Sequence, residues 1–159
     1  MLLIVAVAVL ALQDAGKTSP SGALSAAAVA PSASESAAAA RKWLALIDSQ
    51  QWQQSWSAAG SLFTSHISAA DWQARAQPLR QQLGPVTSRT LKTVTKANAL
   101  PGAPDGQYEI LQFATDFAQK GPGIETVTLA HEPSGWKVDG YFIAPAPPPA
   151  ATAPAAPAK

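Results

Sequence analysis

Two charged residues in the second half of the chain have the types and positions from which a binding or catalytic site could be built. Arg89 alternates in phase with Leu91, and Glu125 alternates in phase with Val127 and Leu129. Residues two apart in a β-strand share a face, so both charges are expected to point toward the apolar side of a sheet. Each then needs a partner, because burying an unpaired charge is very costly.

Arg89 and Glu125 are therefore the ligand-pocket candidates, and two interpretations of them remain open. They form the polar floor of a pocket for a small anionic or polar ligand, or they belong to a structural ion pair. We favour the ion pair, because structural pairs perturb charges as readily as active sites do. In a simple meander the second strand separates these two residues, so the sequence does not decide whether they contact each other directly.

Other catalytic chemistry has little support in the sequence. The chain has no cysteine, which removes disulfides, thiolate metal ligands and a cysteine nucleophile. His66 and His131 are distant and have no carboxylate cluster beside them, so no metal site is predicted. The Gly-x-Ser-x-Gly elbow of serine hydrolases is missing from the sequence.

Acid–base catalysis is the remaining enzymatic route. Tyr108, Asp116 and Tyr141 have the phase of the outer sheet face, which leaves Glu125 as the inward carboxylate. A carboxylate beside Arg89 would be too acidic to act as a general base. The sequence predicts no enzyme and no cofactor. An isomerase or hydrolase that uses the interior around Arg89 and Glu125 is the alternative.

The elements that would position these residues are helices first and strands afterwards. Apolar spacing predicts a helix from Ser36 to about Asp48 and a second from Gln51 through Phe63. A third begins at the capping-box sequence Ser68-Ala69-Ala70-Asp71 and ends at Gly84, with a kink or break expected near Pro78.

After Gly84 the apolar period changes to two, which is typical of strands. The four predicted strands cover about Val86 to Lys96, Gln107 to Gln119, Glu125 to Glu132 and Trp136 to Ala144. Short connections favour hairpins. The predicted fold is α+β, with the N-terminal helices packed on a curved four-stranded antiparallel meander sheet, a cone-like roll.

The last strand alternates so that Trp136, Val138 and Phe142 are expected to face the helices. The opposite face is apolar as well, which is unusual for a solvated sheet. Its interface candidates are Tyr108, Ile110, Tyr141 and Ile143. A homodimer partner is the expected cover, and the tail or an N-terminal segment is the alternative.

The two ends of the chain differ from its middle. The apolar run from Leu2 to Leu12 has the length of a signal-peptide core and is too short to span a bilayer, although no Lys or Arg precedes it. We divide the chain into a signal peptide (1–15), an Ala/Ser/Pro linker (16–35), one domain (36–144) and a disordered Pro/Ala tail (145–159). The expected location is periplasmic or extracellular, with no integral membrane span after processing.

Charge argues against a nucleic-acid partner. Residues 36–144 hold nine lysines or arginines against eight aspartates or glutamates, and the positive side chains are scattered. No cluster resembles a phosphate-binding stripe.

Several short motifs resemble a family of secreted bacterial proteins, the domain of unknown function 4019. They are Trp43 to Ser49, Ser55-Trp56, Trp72, Arg80, Leu83-Gly84, Ser88-Arg89, Leu100 to Tyr108, Glu125 to Leu129, Gly135 to Val138 and Gly140 to Phe142. The resemblance implies a helix-plus-curved-sheet fold similar to nuclear transport factor 2 and cystatin-like proteins. It implies no settled activity.

Taken together, these features predict an exported, non-enzymatic small domain. It is expected to bind a small ligand or a protein partner and to dimerise through its outer sheet face. A cell-envelope spacer or scaffold protein, attached through its Ala/Pro ends, is the other alternative.

Overall fold

Four helices precede a four-stranded sheet. The computed structural model describes residues 30–147, so the predicted signal peptide, most of the linker and most of the tail lie outside the described residues. The elements are α1 Ala30–Asp48, α2 Trp52–Ala58, α3 Ser61–His66, α4 Ala69–Leu83, β1 Val86–Ala97, β2 Tyr108–Phe117, β3 Gly121–Glu132 and β4 Gly135–Pro145. All neighbouring strands are antiparallel in the order β1-β2-β3-β4. The predicted α+β class is confirmed.

The helical half differs from prediction at three points: α1 begins at Ala30 and not at Ser36, the second predicted helix is divided, and α4 has no break at Pro78. The second predicted helix is two helices, because Ala59 and Gly60 are extended and end α2 before α3 begins. The Gly60 N–H donates to the Val138 carbonyl of β4 at 2.8 Å. This hydrogen bond to the sheet stabilises the extended backbone between α2 and α3. α4 begins as predicted, with the Ser68 side chain accepting from the Asp71 N–H, and it continues through Pro78 without a break.

The core lies between the helices and one face of the sheet, called here the inner face. β2 and β3 contribute its fully buried centre, Leu111, Phe113, Val127 and Leu129. The helices contribute an aromatic group in which the rings of Trp43, Phe63 and Trp72 contact one another with centroids 5.1–6.1 Å apart. Apolar burial of this kind is the main force holding such a domain together.

A β-bulge reverses the facing of β4 halfway along the strand. Thr128 pairs with Gly140 and the next residue, Leu129, pairs with Val138, so Asp139 is an extra residue on β4. An extra residue breaks the two-residue period, and every side chain after it changes face. The predicted facing of the last strand is therefore correct before the bulge and wrong after it.

The residues after the bulge are the ones affected. Tyr141 and Ile143 were expected on the outer face, yet both are buried in the core. Phe142 was expected to be inward, yet it lies on the outer side and is 37% exposed. The same bulge thus brings a phenol into the interior and puts an aromatic ring outside.

Candidate functional site

Four charged side chains from four different elements meet in the interior. They are Asp48 at the end of α1, Arg80 on α4, Arg89 on β1 and Glu125 on β3, and we call them the ion cluster. Glu125 is 0% exposed and Arg80 is 8% exposed. The period of each element explains the convergence, since Glu125 has the phase of Val127 and Arg80 follows Trp72 and Ala76 at helical spacing.

Glu125 is the centre of the ion cluster. One carboxylate oxygen, Oε2, accepts from Arg89 Nε at 2.6 Å and from the Thr115 hydroxyl at 2.6 Å. The other, Oε1, accepts from the Tyr141 hydroxyl at 2.5 Å and from Arg80 and Arg89 at 3.3 Å each. Charge-assisted bonds of this kind are the strong class of hydrogen bond. Both oxygens are therefore fully engaged.

Asp48 closes the ion cluster on the helical side. Its Oδ1 accepts from Arg80 at 2.6 Å and from Arg89 at 3.0 Å, and its Oδ2 accepts from Arg89 at 2.7 Å. The Arg80 guanidinium also lies over the ring of Phe117, 5.2 Å from its centroid. The two arginines thus link the last residue of α1 to the centre of the sheet.

Thr115 explains how Arg89 and Glu125 meet across the intervening strand. Arg89 pairs with Thr115 of β2, and Thr115 in turn pairs with Gly123 of β3, two residues from Glu125. The small Thr115 side chain leaves room above β2 for the arginine to reach the carboxylate. Its hydroxyl contributes a further hydrogen bond instead of blocking the contact.

The charges of the ion cluster cancel, with two guanidinium groups against two carboxylates. Burial lowers the pKa of Arg89, but its hydrogen bonds to Asp48 and Glu125 outweigh that effect and raise it above the ordinary value. Burial, and next the charge of Glu125, raise the pKa of the Tyr141 phenol well above 10. Within residues 30–147 no buried side-chain nitrogen or oxygen is left without a hydrogen-bond partner. The ion cluster therefore resembles a completed structural network more than an open active site.

A second feature is an apolar groove beside β4, called here the β4 groove. Its cavity volume is about 90 Å³. Most of its wall comes from α3 and α4, and its base comes from β4 and the tip of the β1–β2 loop. The apolar residues that line it are Leu62, Phe63, Ile67, Trp72, Ala76, Leu79, Tyr141, Phe142 and Ile143.

The β4 groove also has polar neighbours. Arg75, Arg80 and His66 line its helical wall, and Asp139 lies at its other end. Asp139 accepts from the Phe63 N–H at 3.3 Å, and Glu132 accepts from the Ser61 N–H at 2.7 Å. These two carboxylates supply the N-terminal acceptors that α3 lacks in its own sequence. Burial raises the pKa of Asp139, partly offset by its bond to the Phe63 N–H.

A second buried carboxylate lies on the inner face of β2. Glu109 accepts a hydrogen bond from the Ser36 hydroxyl of α1 and lies 3.7 Å from the ammonium of Lys96. It shares the phase of Leu111, so it points toward the helices as that residue does. Glu109 ties the first described turns of α1 to the sheet at the end opposite Asp48.

The described residues offer no metal site and no membrane-spanning helix. No group of three or more His, Asp or Glu side chains between residues 30 and 147 is placed to hold a metal ion. None of the helices in that part of the chain combines the length and the apolar character needed to cross a bilayer.

Comparison with protein families identifies the family of this chain. The model of a family described as "Protein of unknown function (DUF4019)" matches residues 39–141, which is well over half of the chain. The chain belongs to this family. A comparison with curated proteins gave no match.

The DUF4019 match covers the ion cluster completely, from Asp48 to Glu125, and it extends over the β4 bulge to Tyr141. The predicted resemblance to this family is therefore confirmed. No activity comes with it, because the family description assigns none.

The predicted site residues of this DUF4019 protein have mixed outcomes. Arg89 and Glu125 do point inward, and they contact each other directly. Tyr108 and Ile110 have the phase of the outer face, but Tyr108 is covered by its own loop, where its hydroxyl donates to the Pro104 carbonyl at 2.7 Å. Tyr141 is buried and its hydroxyl donates to Glu125 of the ion cluster, so the prediction that it faces outward is wrong.

Sequence reasoning missed Asp48, Arg80 and Thr115. Arg80 gave a usable signal, because it continues the spacing of Trp72 and Ala76 on the apolar side of α4. Asp48 gave a weaker signal, since the helix dipole disfavours a carboxylate at the last residue of a helix and a cationic partner offsets that cost.

Proposed function

We propose that this DUF4019 protein is an exported, non-enzymatic binding domain whose binding site is the β4 groove. The observation that carries the proposal is the contrast between its two features. In the ion cluster no buried side-chain nitrogen or oxygen lacks a hydrogen-bond partner, whereas the β4 groove is lined mostly by apolar side chains. Concave apolar surfaces with a few polar neighbours are the usual form of a binding site.

The geometry of Glu125 supports a role without catalysis. A general base must reach the proton that it removes, at about 2.6–3.2 Å or through one water. Glu125 is 0% exposed and already accepts five hydrogen bonds. An enzyme that used Arg89 and Glu125 would first have to break this network.

Export is proposed from the sequence alone. The apolar run from Leu2 to Leu12 has the length and character of a signal-peptide core. The absence of cysteine is compatible with an oxidising compartment, since no thiol has to be protected there.

A titration of the full chain with isobutanol tests the groove. The probe is small enough for a cavity of about 90 Å³, and methyl NMR reports on Leu62, Leu79 and Ile143 in its lining. We expect saturable shifts of these methyl groups with one common midpoint. Leu79→Asp should weaken the binding about tenfold or more, because it puts a charge in an apolar site.

Leu46→Asp is the matched control, because Leu46 is a half-buried leucine of α1 that does not line the groove. It should leave the midpoint unchanged, and circular dichroism confirms that both variants are folded. Methyl shifts that are absent, or that spread evenly over the surface without saturating, would refute the proposed site.

Self-association through the outer sheet face is the second candidate. Among the described residues, Phe142 is the large apolar side chain that remains exposed, and Ile110 and Ile124 lie half-buried on the same face. Sedimentation of the full chain should then show a dimer that Phe142→Lys converts to a monomer. A monomer at every concentration would remove this candidate.

A further inference from the structure

The strand that borders the β4 groove is an outer edge of the sheet. We propose that the occupant of the groove is an extended segment of another polypeptide, which pairs with β4 as a fifth strand and inserts one apolar side chain. The proposal rests on the groove being the binding site, as proposed above. It adds the class of partner and the way in which the partner is held.

The register of β4 shows which backbone groups are available. The Ala146 N–H donates to the Pro122 carbonyl of β3 at 3.1 Å, so this pair is a hydrogen-bonded pair of the antiparallel ladder. Such pairs alternate along a strand, which makes Phe142 and Ala144 bond to β3 and turns the N–H and C=O groups of Tyr141 and Ile143 away from it. Within residues 30–147, none of the backbone–backbone hydrogen bonds outside the ladders reaches these outward groups.

The open part of this edge is short and has defined ends. At one end the Val138 carbonyl already accepts from the Gly60 N–H of the α2–α3 break. At the other end Pro145 has no N–H to donate. The free length from Tyr141 to Pro145 is about 13 Å at roughly 3.3 Å per residue. It therefore suits a few residues of an extended partner and not a long strand.

The size of the groove decides what the partner inserts. Its cavity volume is about 90 Å³, whereas pockets for drug-sized ligands hold about 300–1,000 Å³. Even the engineered cavity that binds benzene measures about 150 Å³. A single aliphatic side chain is the occupant that this volume accepts, and one buried apolar anchor can dominate the affinity of an interface.

Alternation specifies the neighbouring positions of the partner. Arg80 is neutralised within the ion cluster, and Arg75 and Asp139 carry opposite charges, so the lining of the groove asks for no particular charge beside the anchor. The partner residue next to the anchor would point to the outer face, where it meets the exposed ring of Phe142. Strand addition of this kind takes affinity from main-chain bonds and specificity from alternate side chains.

The chain's own C-terminal tail does not meet these requirements. Residues 148–159 contain only proline, alanine, one threonine and one lysine. None of these provides an aliphatic anchor larger than alanine or the proline ring, and prolines cannot donate to the edge.

Peptide selection on the immobilised full chain tests the proposal. The probe is a phage-displayed library of random twelve-residue peptides, from which the strongest binder is synthesised. We expect recovered sequences that share one aliphatic residue. Leu79→Asp should weaken the peptide about tenfold or more by charging the wall of the groove, and Leu46→Asp should not.

Amide hydrogen exchange then distinguishes edge pairing from mere occupation of the groove. The N–H groups of Tyr141 and Ile143 should exchange fast in the free chain and at least about tenfold more slowly with peptide bound. The Phe142 N–H, which bonds to β3, is the internal control and should be protected in both states.

Each other outcome contradicts a specific part of the proposal. Peptide binding that Leu79→Asp weakens, without new protection at Tyr141 and Ile143, refutes strand pairing and leaves the groove as the binding site. Binding that Leu79→Asp does not affect refutes both. Protection in the free chain that grows with protein concentration assigns the edge to a second copy. Protection that is independent of concentration assigns it to another segment of this chain.

Discussion

Replacing Glu125 by glutamine should destabilise the domain strongly without changing its shape. The glutamine side chain has nearly the same size, but one of its two oxygens becomes an amide nitrogen, which donates and cannot accept. If the nitrogen takes the place of Oε2, it faces Arg89 Nε; if it takes the place of Oε1, it faces N–H groups of Arg80 and Arg89. At least one arginine N–H loses its acceptor in either orientation.

The magnitude follows from burial and charge. Glu125→Gln leaves two guanidinium groups facing one carboxylate, that of Asp48. Removing one partner of a buried ion pair costs about 3–5 kcal/mol. A domain of this size has about 5–15 kcal/mol in total, so the variant should lose about a fifth or more of its free energy of unfolding. At roughly 4 °C per kcal/mol, the Tm should fall by about 12–20 °C.

Urea unfolding of the full chain, followed by tryptophan fluorescence, measures the loss as a shift of the midpoint at unchanged slope. Glu35→Gln is the matched control, because Glu35 is an exposed carboxylate of α1, and it should stay within about 0.5 kcal/mol of the wild type. The double variant Glu125→Leu/Arg89→Met should lose less than Glu125→Gln, since it removes both charges of one pair. If the free energy of unfolding of Glu125→Gln lies within about 1 kcal/mol of the wild-type value, the idea that the N–H groups of Arg80 and Arg89 depend on the Glu125 carboxylate is refuted.

Three further outcomes are expected. Gly60→Ala should cost about 1–3 kcal/mol, because a Cβ at Gly60 would lie 2.1 Å from Asp139 Oδ1; adding Asp139→Ala should restore part of the loss in denaturation curves. The raised pKa of Tyr141 stabilises the fold below pH 10, and this contribution is lost as the pH rises above 10. The urea midpoint of Tyr141→Phe should therefore fall less steeply above pH 10 than that of the wild type, and equal slopes would contradict the assignment. Intact-mass analysis of exported protein should show that Leu2–Leu12 has been removed, whereas an unprocessed chain would exclude a cleaved signal peptide.

The parts of the site that the sequence predicts are those governed by local periodicity. Arg89 and Glu125 lie in regular stretches of β1 and β3, so a period of two places both on the inner face correctly. The same period fails on β4, because the bulge at Asp139 arises from the register against β3 and has no marker in the local alternation. The pairing of strands is a tertiary property, and a single strand does not contain it.

The ion cluster as a whole was beyond prediction for a related reason. Asp48 and Glu125 are joined only when the end of α1 is packed against the sheet, and Thr115 matters only because β2 lies between β1 and β3. The split of the second predicted helix has a similar origin, since Gly60 is held by the Val138 carbonyl of β4. In the ion cluster, long-range hydrogen bonds join residues whose local sequence gives no sign of the contact. At Gly60, a long-range hydrogen bond overrides the helical spacing of the local sequence.

The bulge at Asp139 makes the number of residues in β4 as important as their identity. A substitution there changes one side chain, whereas the loss or gain of one codon inverts the facing of every later residue of the strand. It would exchange the burial of Tyr141 and Phe142, and with it the phenol that bonds to Glu125. An alignment of DUF4019 proteins that opens a gap at this position therefore records a different interior, even where every neighbouring letter is the same.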